Sequence, residues 1–289
     1  MLRPVLTVAA AALALAACSA EPEVATDEIH TGPPAELGAG TVWTYTTVDA
    51  AGNLTALGAR FDAAVLEDLP AEPDGTAPCF DLNGDGSLDP HAECFMMIRR
   101  NLALPAAAAA AAAPFRYLQL NWNPEGHAPP APPAYAAAHI DFHFFATPQA
   151  DVETLRPGRC GFLMDCEAFE RAVIPVPERY MPRGYVAVDA AAAEEGNHLI
   201  DPASPELADP PAPFTHTFIY GSYDGHITFY EPMIAVSYLA GRPHECVDLK
   251  LPEAWETAGV YPTRYCIRYL AEAAEYTVSL EGFVRREAT

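Results

Sequence analysis

Lysine is almost missing from this chain. Lys250 is the only one in 289 residues, and 16 basic residues face 39 acidic ones, for a formal net charge of −23. A body this acidic repels phosphate backbones and anionic headgroups, which excludes nucleic acid as a partner and a basic patch as a membrane contact. Catalytic signatures are missing as well: there is no H-E-x-x-H, no G-x-S-x-G and no phosphate-binding glycine loop. No C-x-x-C occurs, so the cysteines lack zinc-ribbon spacing. After the first 17 residues no apolar run approaches the roughly 20 residues that span a bilayer. Helical periodicity never persists beyond about 12 residues. What is left is an acidic, β-prone chain without a recognisable nucleophile or cofactor motif.

The first residues carry one charge, Arg3, and then an apolar run from Val5 to Ala17, which is the layout of a secretory signal. The end of that run, Leu15-Ala16-Ala17-Cys18, resembles the lipobox of bacterial lipoproteins. The resemblance implies removal of residues 1–17 and a lipid on Cys18 that holds the protein to a membrane from outside the cytoplasm. Ser19, where inner-membrane lipoproteins usually carry Asp, points to the outer membrane. Residues 18–38 are polar and proline-bearing and read as a lipidated, flexible tether. Residues 39–289 read as one β domain with a loop insertion at 75–114, which includes the alanine tract Ala106–Ala113.

With Cys18 lipidated, six of the seven cysteines remain, and an even set outside the cytoplasm reads as disulfides. Sequential pairing closes the shortest loops at the least entropic cost: Cys79–Cys94, Cys160–Cys166 and Cys246–Cys266.

Alternation of β-forming residues predicts strands over 41–48, 57–66, 115–120 and 139–145. Two aromatic runs, 216–221 and 226–231, flank Asp224-Gly225, a hairpin signal. Strands over 263–270 and 276–284 close the chain. The fold class is mainly β: an antiparallel β-barrel or sandwich with long loops and little helix.

Two segments carry candidate ligands. Asp81-Leu-Asn83-Gly-Asp85-Gly86-Ser87-Leu-Asp89 alternates oxygen donors around a glycine turn, the spacing calcium requires. It resembles the calcium loop of EF-hand and dockerin-type modules. It departs from them at the twelfth position, where Ala92 stands in place of the bidentate Glu and Glu93 comes one residue late. The implied cofactor is a structural calcium ion held by Asp81, Asn83, Asp85, Ser87 and Asp89.

The second segment is His139-Ile-Asp141-Phe-His143-Phe. In a strand, alternate side chains share a face, so His139, Asp141 and His143 point one way while Ile140, Phe142 and Phe144 pack the other way. Residues i and i+2 lie roughly 6.6 Å apart and i and i+4 roughly 13 Å, so with metal–nitrogen bonds of about 2 Å both histidines would reach one ion only at near-maximal extension. Asp141 with one histidine is the expected pair. His198, in a loop with Asp201, Glu231 at a strand end before Pro232, and His127 are the groups available to complete a site for zinc, manganese or iron. The HxH spacing of cupins is absent. His91, His216, His226 and His244 read as ordinary surface or hydrogen-bonded residues.

Read in order, several blocks resemble an uncharacterised family of exported bacterial β proteins, a domain of unknown function. They are Asn123-Pro-Glu-Gly-His127-Ala-Pro-Pro130, His139–Phe145, Met181-Pro-Arg-Gly-Tyr185, Gly196-Asn-His198-Leu-Ile-Asp201, Ile219–Gly225 through Glu231-Pro-Met233, and Tyr261-Pro-Thr-Arg-Tyr265. The likeness spans roughly residues 40–286. It implies a β fold outside the cytoplasm with self-association, and carries no activity across. One block departs from the family pattern, with Leu199 in place of Trp after the histidine.

Three functions remain open on these grounds. They are a metal-binding envelope domain that engages a small molecule or protein without turnover, a metal-dependent enzyme acting on a small molecule, and a metal-free structural or stress lipoprotein.

Overall fold

The computed structural model describes residues 27–127 and 131–289. Cys18 and the lipobox lie outside the described residues. In chain order the strands are β1 (Glu28–Thr31), β2 (Ala35–Leu37), β3 (Gly40–Val48), β4 (Leu54–Asp62), β5 (Ile98–Ala103), β6 (Tyr117–Asn123), β7 (His139–Phe145), β8 (Pro157–Cys160) and β9 (Val186–Ala187). They continue as β10 (Asn197–Ile200), β11 (His216–Tyr223), β12 (His226–Ala235), β13 (His244–Asp248), β14 (Gly259–Tyr261), β15 (Arg264–Leu270), β16 (Glu275–Glu281) and β17 (Val284–Arg286). The α-helices are short: α1 (Pro90–Glu93), α2 (Gln149–Val152), α3 (Cys166–Ala172) and α4 (Val236–Leu239).

Two antiparallel sheets form a sandwich and do not close into a barrel. One runs β1-β3-β4-β16-β15-β13, with β2 also on β3; the other runs β5-β6-β7-β12-β11-β10-β9. Their facing sides make one apolar core. Phe61 of β4 stacks between Phe142 of β7 (6.2 Å between ring centroids) and Tyr276 of β16 (5.3 Å), and Phe218 of β11 meets Tyr265 of β15 at 5.2 Å. The β11–β12 hairpin turns at Asp224-Gly225, both at positive φ, as such a turn demands.

Three cysteine pairs are bonded as the loop lengths suggested: Cys79–Cys94, Cys160–Cys166 and Cys246–Cys266. The last ties directly paired residues of β13 and β15.

Two expectations are corrected here. The folded domain starts by Glu28, not residue 39, because β1 and β2 pair with β3 inside the segment read as a tether. Polarity misled there, since an edge strand carries polar side chains and still satisfies its backbone on its neighbour. The alanine tract is not a loose insertion: Ala108 and Ala112 are buried in the sandwich core.

The sheet containing β7 is buried on both sides. All residues of β6 and β7 are inaccessible, including the alternate polar ones. An antiparallel sheet ordinarily leaves one face to water. Here residues of the segments 75–97, 124–127, 131–138 and 149–196 fold over that face, and small apolar clusters centred on Met233, Met164 and Phe145 seal its margins.

Candidate metal centre

Alternation along β7 sends Ile140, Phe142 and Phe144 into the core and leaves His139, Asp141 and His143 on the covered face, each about 1% exposed or less. β6 supplies the polar row beside them: Asn123 pairs with His139, Asn121 with Asp141 and Gln119 with His143. On the other flank, Tyr230 of β12 faces Phe144 and Met233 faces Asp141, so Glu231 stands across from His143. Glu231 is therefore inside a ten-residue strand and not at a strand end. Pro232 is tolerated beside it in an interior strand despite its missing N–H.

His198 sits on β10, a strand and not a loop, paired with Gly221 of β11. Gly221 is required by contact: a Cβ there would lie 2.0 Å from the Phe229 ring. That ring packs against both His143 (4.9 Å between centroids) and His198 (5.3 Å). His127 arrives from the loop after β6. Gly126 turns the chain at φ +66°, where a Cβ would strike the Tyr135 carbonyl at 2.4 Å, and the His127 N–H donates to that same carbonyl (2.8 Å).

The histidines share one design. His139 Nδ1 lies 2.6 Å from the Ala137 carbonyl, His198 Nδ1 2.6 Å from the Ala190 carbonyl, and His143 Nδ1 3.3 Å from the Gln119 carbonyl. A carbonyl only accepts, so each Nδ1 carries the proton and each Nε2 presents a lone pair. Metal-binding imidazoles are fixed in this way.

With His127 added, the ring nitrogens and the carboxylate oxygens near them fall into two groups. In the first, His139 Nε2 is 3.1 Å from His127 Nε2 and 3.2 Å from Asp141 Oδ1, and His127 Nε2 is 3.5 Å from Asp141 Oδ2. In the second, His143 Nε2 is 3.4 Å from Glu231 Oε1, and His198 Nε2 is 3.7 Å from Glu195 Oε2 and 3.9 Å from Glu231 Oε2. Within each of the sets His127–His139–Asp141 and His143–Glu195–His198, one donor atom per residue lies within 4.8 Å of the others, as a shared ion requires. His139 and His143 thus belong to different groups, as strand spacing favoured.

The carboxylates are also oriented. Asn123 Nδ2 donates to Asp141 Oδ2 at 2.7 Å. Asn121 Nδ2 (2.8 Å) and Arg99 Nη2 (3.1 Å) both donate to Glu195 Oε1. Arg99 reaches Glu194 with its other terminal nitrogen. Among these histidines and carboxylates, three buried atoms have no hydrogen-bond partner: Asp141 Oδ1, His143 Nε2 and Glu231 Oε2. Buried polar atoms seldom stay unpaired.

Proton affinities reflect this crowding. Burial brings the His143 imidazole down to about 4, and burial also lowers His198, so both rings are neutral. Burial, with the carboxylates of Asp141 and Glu195 beside it, pushes Glu231 well above the usual range. Burial acts the same way on Asp141, but the imidazoles of His139 and His127 outweigh it and hold that carboxyl well below the usual range. For His127, burial opposes the charged ring, and the hydrogen bond and charge of Asp141 reverse the outcome, raising it.

Above the polar floor is a cavity of about 470 Å³. Asp141, His143, Glu195, His198 and Glu231 line its base, while Phe95, Met96, Met97, Phe162 and Leu163 are among its walls. One wall is braced by the Cys160–Cys166 loop: Phe162 N–H donates to the Ala191 carbonyl (2.8 Å), and the Phe162 carbonyl accepts from Ala193 N–H (3.3 Å).

Five residues proposed from the sequence, His139, Asp141, His143, His198 and Glu231, are brought to one face. Asp201 is not; it pairs with Lys250. Glu195 and Arg99 were missed, and the only sequence signal was that Glu195 precedes a glycine, Gly196, at φ +118°. His91 lines the cavity mouth and is not merely a surface residue. The loop Asp81–Asp89 lies apart from these groups and does not itself gather such a cluster. Asp81 Oδ2 accepts from Gly86 N–H (2.8 Å) and Asp85 Oδ1 from Ser87 N–H (2.8 Å), while the buried Glu93 accepts from the Leu82, Asn83 and Asp89 amides.

Comparison of the chain with protein-family models, with curated proteins and with solved structures gave no match.

Proposed function

We propose that the protein is a metal-dependent enzyme acting on a small molecule, with a divalent transition metal held by His127, His139 and Asp141. The observation that carries this is the convergence of His127 Nε2, His139 Nε2 and the Asp141 carboxylate, with contacts of 3.1 Å between the imidazoles, 3.2 Å from His139 to Oδ1 and 3.5 Å from His127 to Oδ2, beside a buried Oδ1 without a hydrogen-bond partner. Ligand bonds of about 2.0–2.2 Å at tetrahedral angles set neighbouring ligand atoms roughly 3.3–3.5 Å apart. Three protein ligands leave a coordination position for water or substrate, and two imidazoles with a carboxylate suit zinc, iron or manganese. The metal supplies a water acidified toward neutral pH.

The cavity selects a substrate with an apolar body and one oxygen-bearing group. An ester is the simplest such molecule. Water oxygen adds to the acyl carbon, the bond to the alkoxide breaks, and the proton passes to that alkoxide, so acid and alcohol leave. Elemental analysis of protein purified without chelator, with chromogenic short-chain esters as substrates, tests this. About one ion or more per chain, with metal and turnover lost in Asp141→Asn, is the expected result. A chain that retains no zinc, manganese or iron after reconstitution would refute the assignment.

We further read the chain as an envelope lipoprotein anchored through Cys18, in the outer membrane where the cell has one. The lipobox and the three disulfides support an oxidising compartment. The mass of the mature N-terminus tests it, through the absence of residues 1–17 and the addition of a lipid. At Asp81–Asp89 we retain calcium as a structural ligand on its donor spacing alone. A melting temperature that rises with calcium in the natural chain, and does not in Asp85→Ala, is the expected outcome.

A further inference from the structure

We propose that the same sheet face holds a second divalent cation, bound by His143, Glu195 and His198 with Glu231 beside them, so that the cavity floor is a two-metal centre. This rests on the reading of His127, His139 and Asp141 as the first metal's ligands.

The second group repeats the construction of the first. Each triad has two imidazoles and one carboxylate. In each, the carboxylate has one oxygen occupied by an asparagine of β6, Asn123 on Asp141 (2.7 Å) and Asn121 on Glu195 (2.8 Å), and the other set against one imidazole, Oδ1 against His139 (3.2 Å) and Oε2 against His198 (3.7 Å). Asn121 and Asn123 are alternate residues of one strand, so the same device recurs one pleat along. His143 and His198 offer Nε2 lone pairs because backbone carbonyls take their Nδ1 protons. His143 Nε2 and Glu231 Oε2 are buried, about 1% exposed by residue, and without a partner. Both belong to this second group, so the first ion alone does not account for them. One ion does not serve both triads, since His139 and His143 are four residues apart on a strand, roughly 13 Å along the backbone.

The deciding measurement is metal content per folded chain. Protein stripped with a chelator and reloaded with Zn²⁺ or Mn²⁺ should carry two ions. His198→Ala and His139→Ala should each carry one, and the double variant none, with circular dichroism confirming the fold. Glu256→Gln, which pairs with His226 outside both triads and outside the Asp81–Asp89 loop, should still carry two. One ion per natural chain, lost in His139→Ala and kept in His198→Ala, would overturn the second site and leave the first standing. No ion in the natural chain would overturn both. The natural-chain count decides the matter even if a variant fails to fold.

Discussion

Gly221 and Phe229 are directly paired across the β11–β12 hairpin, and the aromatic ring occupies the space where any other residue at 221 would place its Cβ. The ring in turn presses on His143 and His198. Gly221→Ala would displace Phe229 toward the imidazoles. Overpacking of this kind costs about 1–3 kcal/mol. A lower melting temperature together with weakened metal retention is expected, and a fully stable, metal-replete variant would show that the ring relaxes elsewhere.

Phe142 gives the complementary case. It is wholly buried between the sheets, on the opposite side of β7 from Asp141 and His143. Phe142→Ala should cost about 3–5 kcal/mol, read as a shifted urea midpoint. Metal content of the folded fraction should stay unchanged, because the polar face is built on alternate residues.

Glu281 makes stability depend on acid. Burial raises its carboxyl, but hydrogen bonds from Arg268 and the Ser279 hydroxyl (2.9 Å), with the charges of Arg268 and Arg264, outweigh burial and lower it. A group depressed in the folded state stabilises above its unfolded value, about 4.3 for Glu, and that contribution fades as pH falls through the folded value. Glu281→Gln should therefore cost about 1–2 kcal/mol at neutral pH, and the gap to the natural chain should narrow below about pH 4. Melting curves across pH 3 to 7 would register it; a gap independent of pH would contradict it.

Cys246–Cys266 joins paired strands over a separation of 20 residues. Its removal in Cys246→Ser/Cys266→Ser should cost about 3 kcal/mol, by the loop entropy restored to the unfolded chain. The bond is on the sheet remote from the histidines, so metal content should not change.

Much of the framework was legible. Strand 139–145 was readable residue for residue, because a buried row and a polar row alternate there with a period of two. The hairpin at Asp224-Gly225 carried its own turn chemistry, and short loops selected the cysteine partners. Strand rise argued against His139 and His143 sharing an ion, but that the second histidine belongs to a group of its own was not readable. Glu195 and Arg99 were not readable. Their ion pair joins residues 96 positions apart, and nothing local marks either one. The role of Asn121 and Asn123 was hidden for the same reason: a strand asparagine shows its function only once the facing carboxylate is known. The early strands β1 and β2 were lost to polarity, and Ala108 and Ala112 to the low complexity around them.

The small ring closed by Cys160 and Cys166 braces the segment that carries both the Ala190 carbonyl and Glu195. A polypeptide with those thiols free would keep its strands but lose the aim of His198 and Glu195. Made under reducing conditions, it would pass by whatever ions are abundant there. Oxidation, not affinity, would then decide which ionic pool fills the sheet.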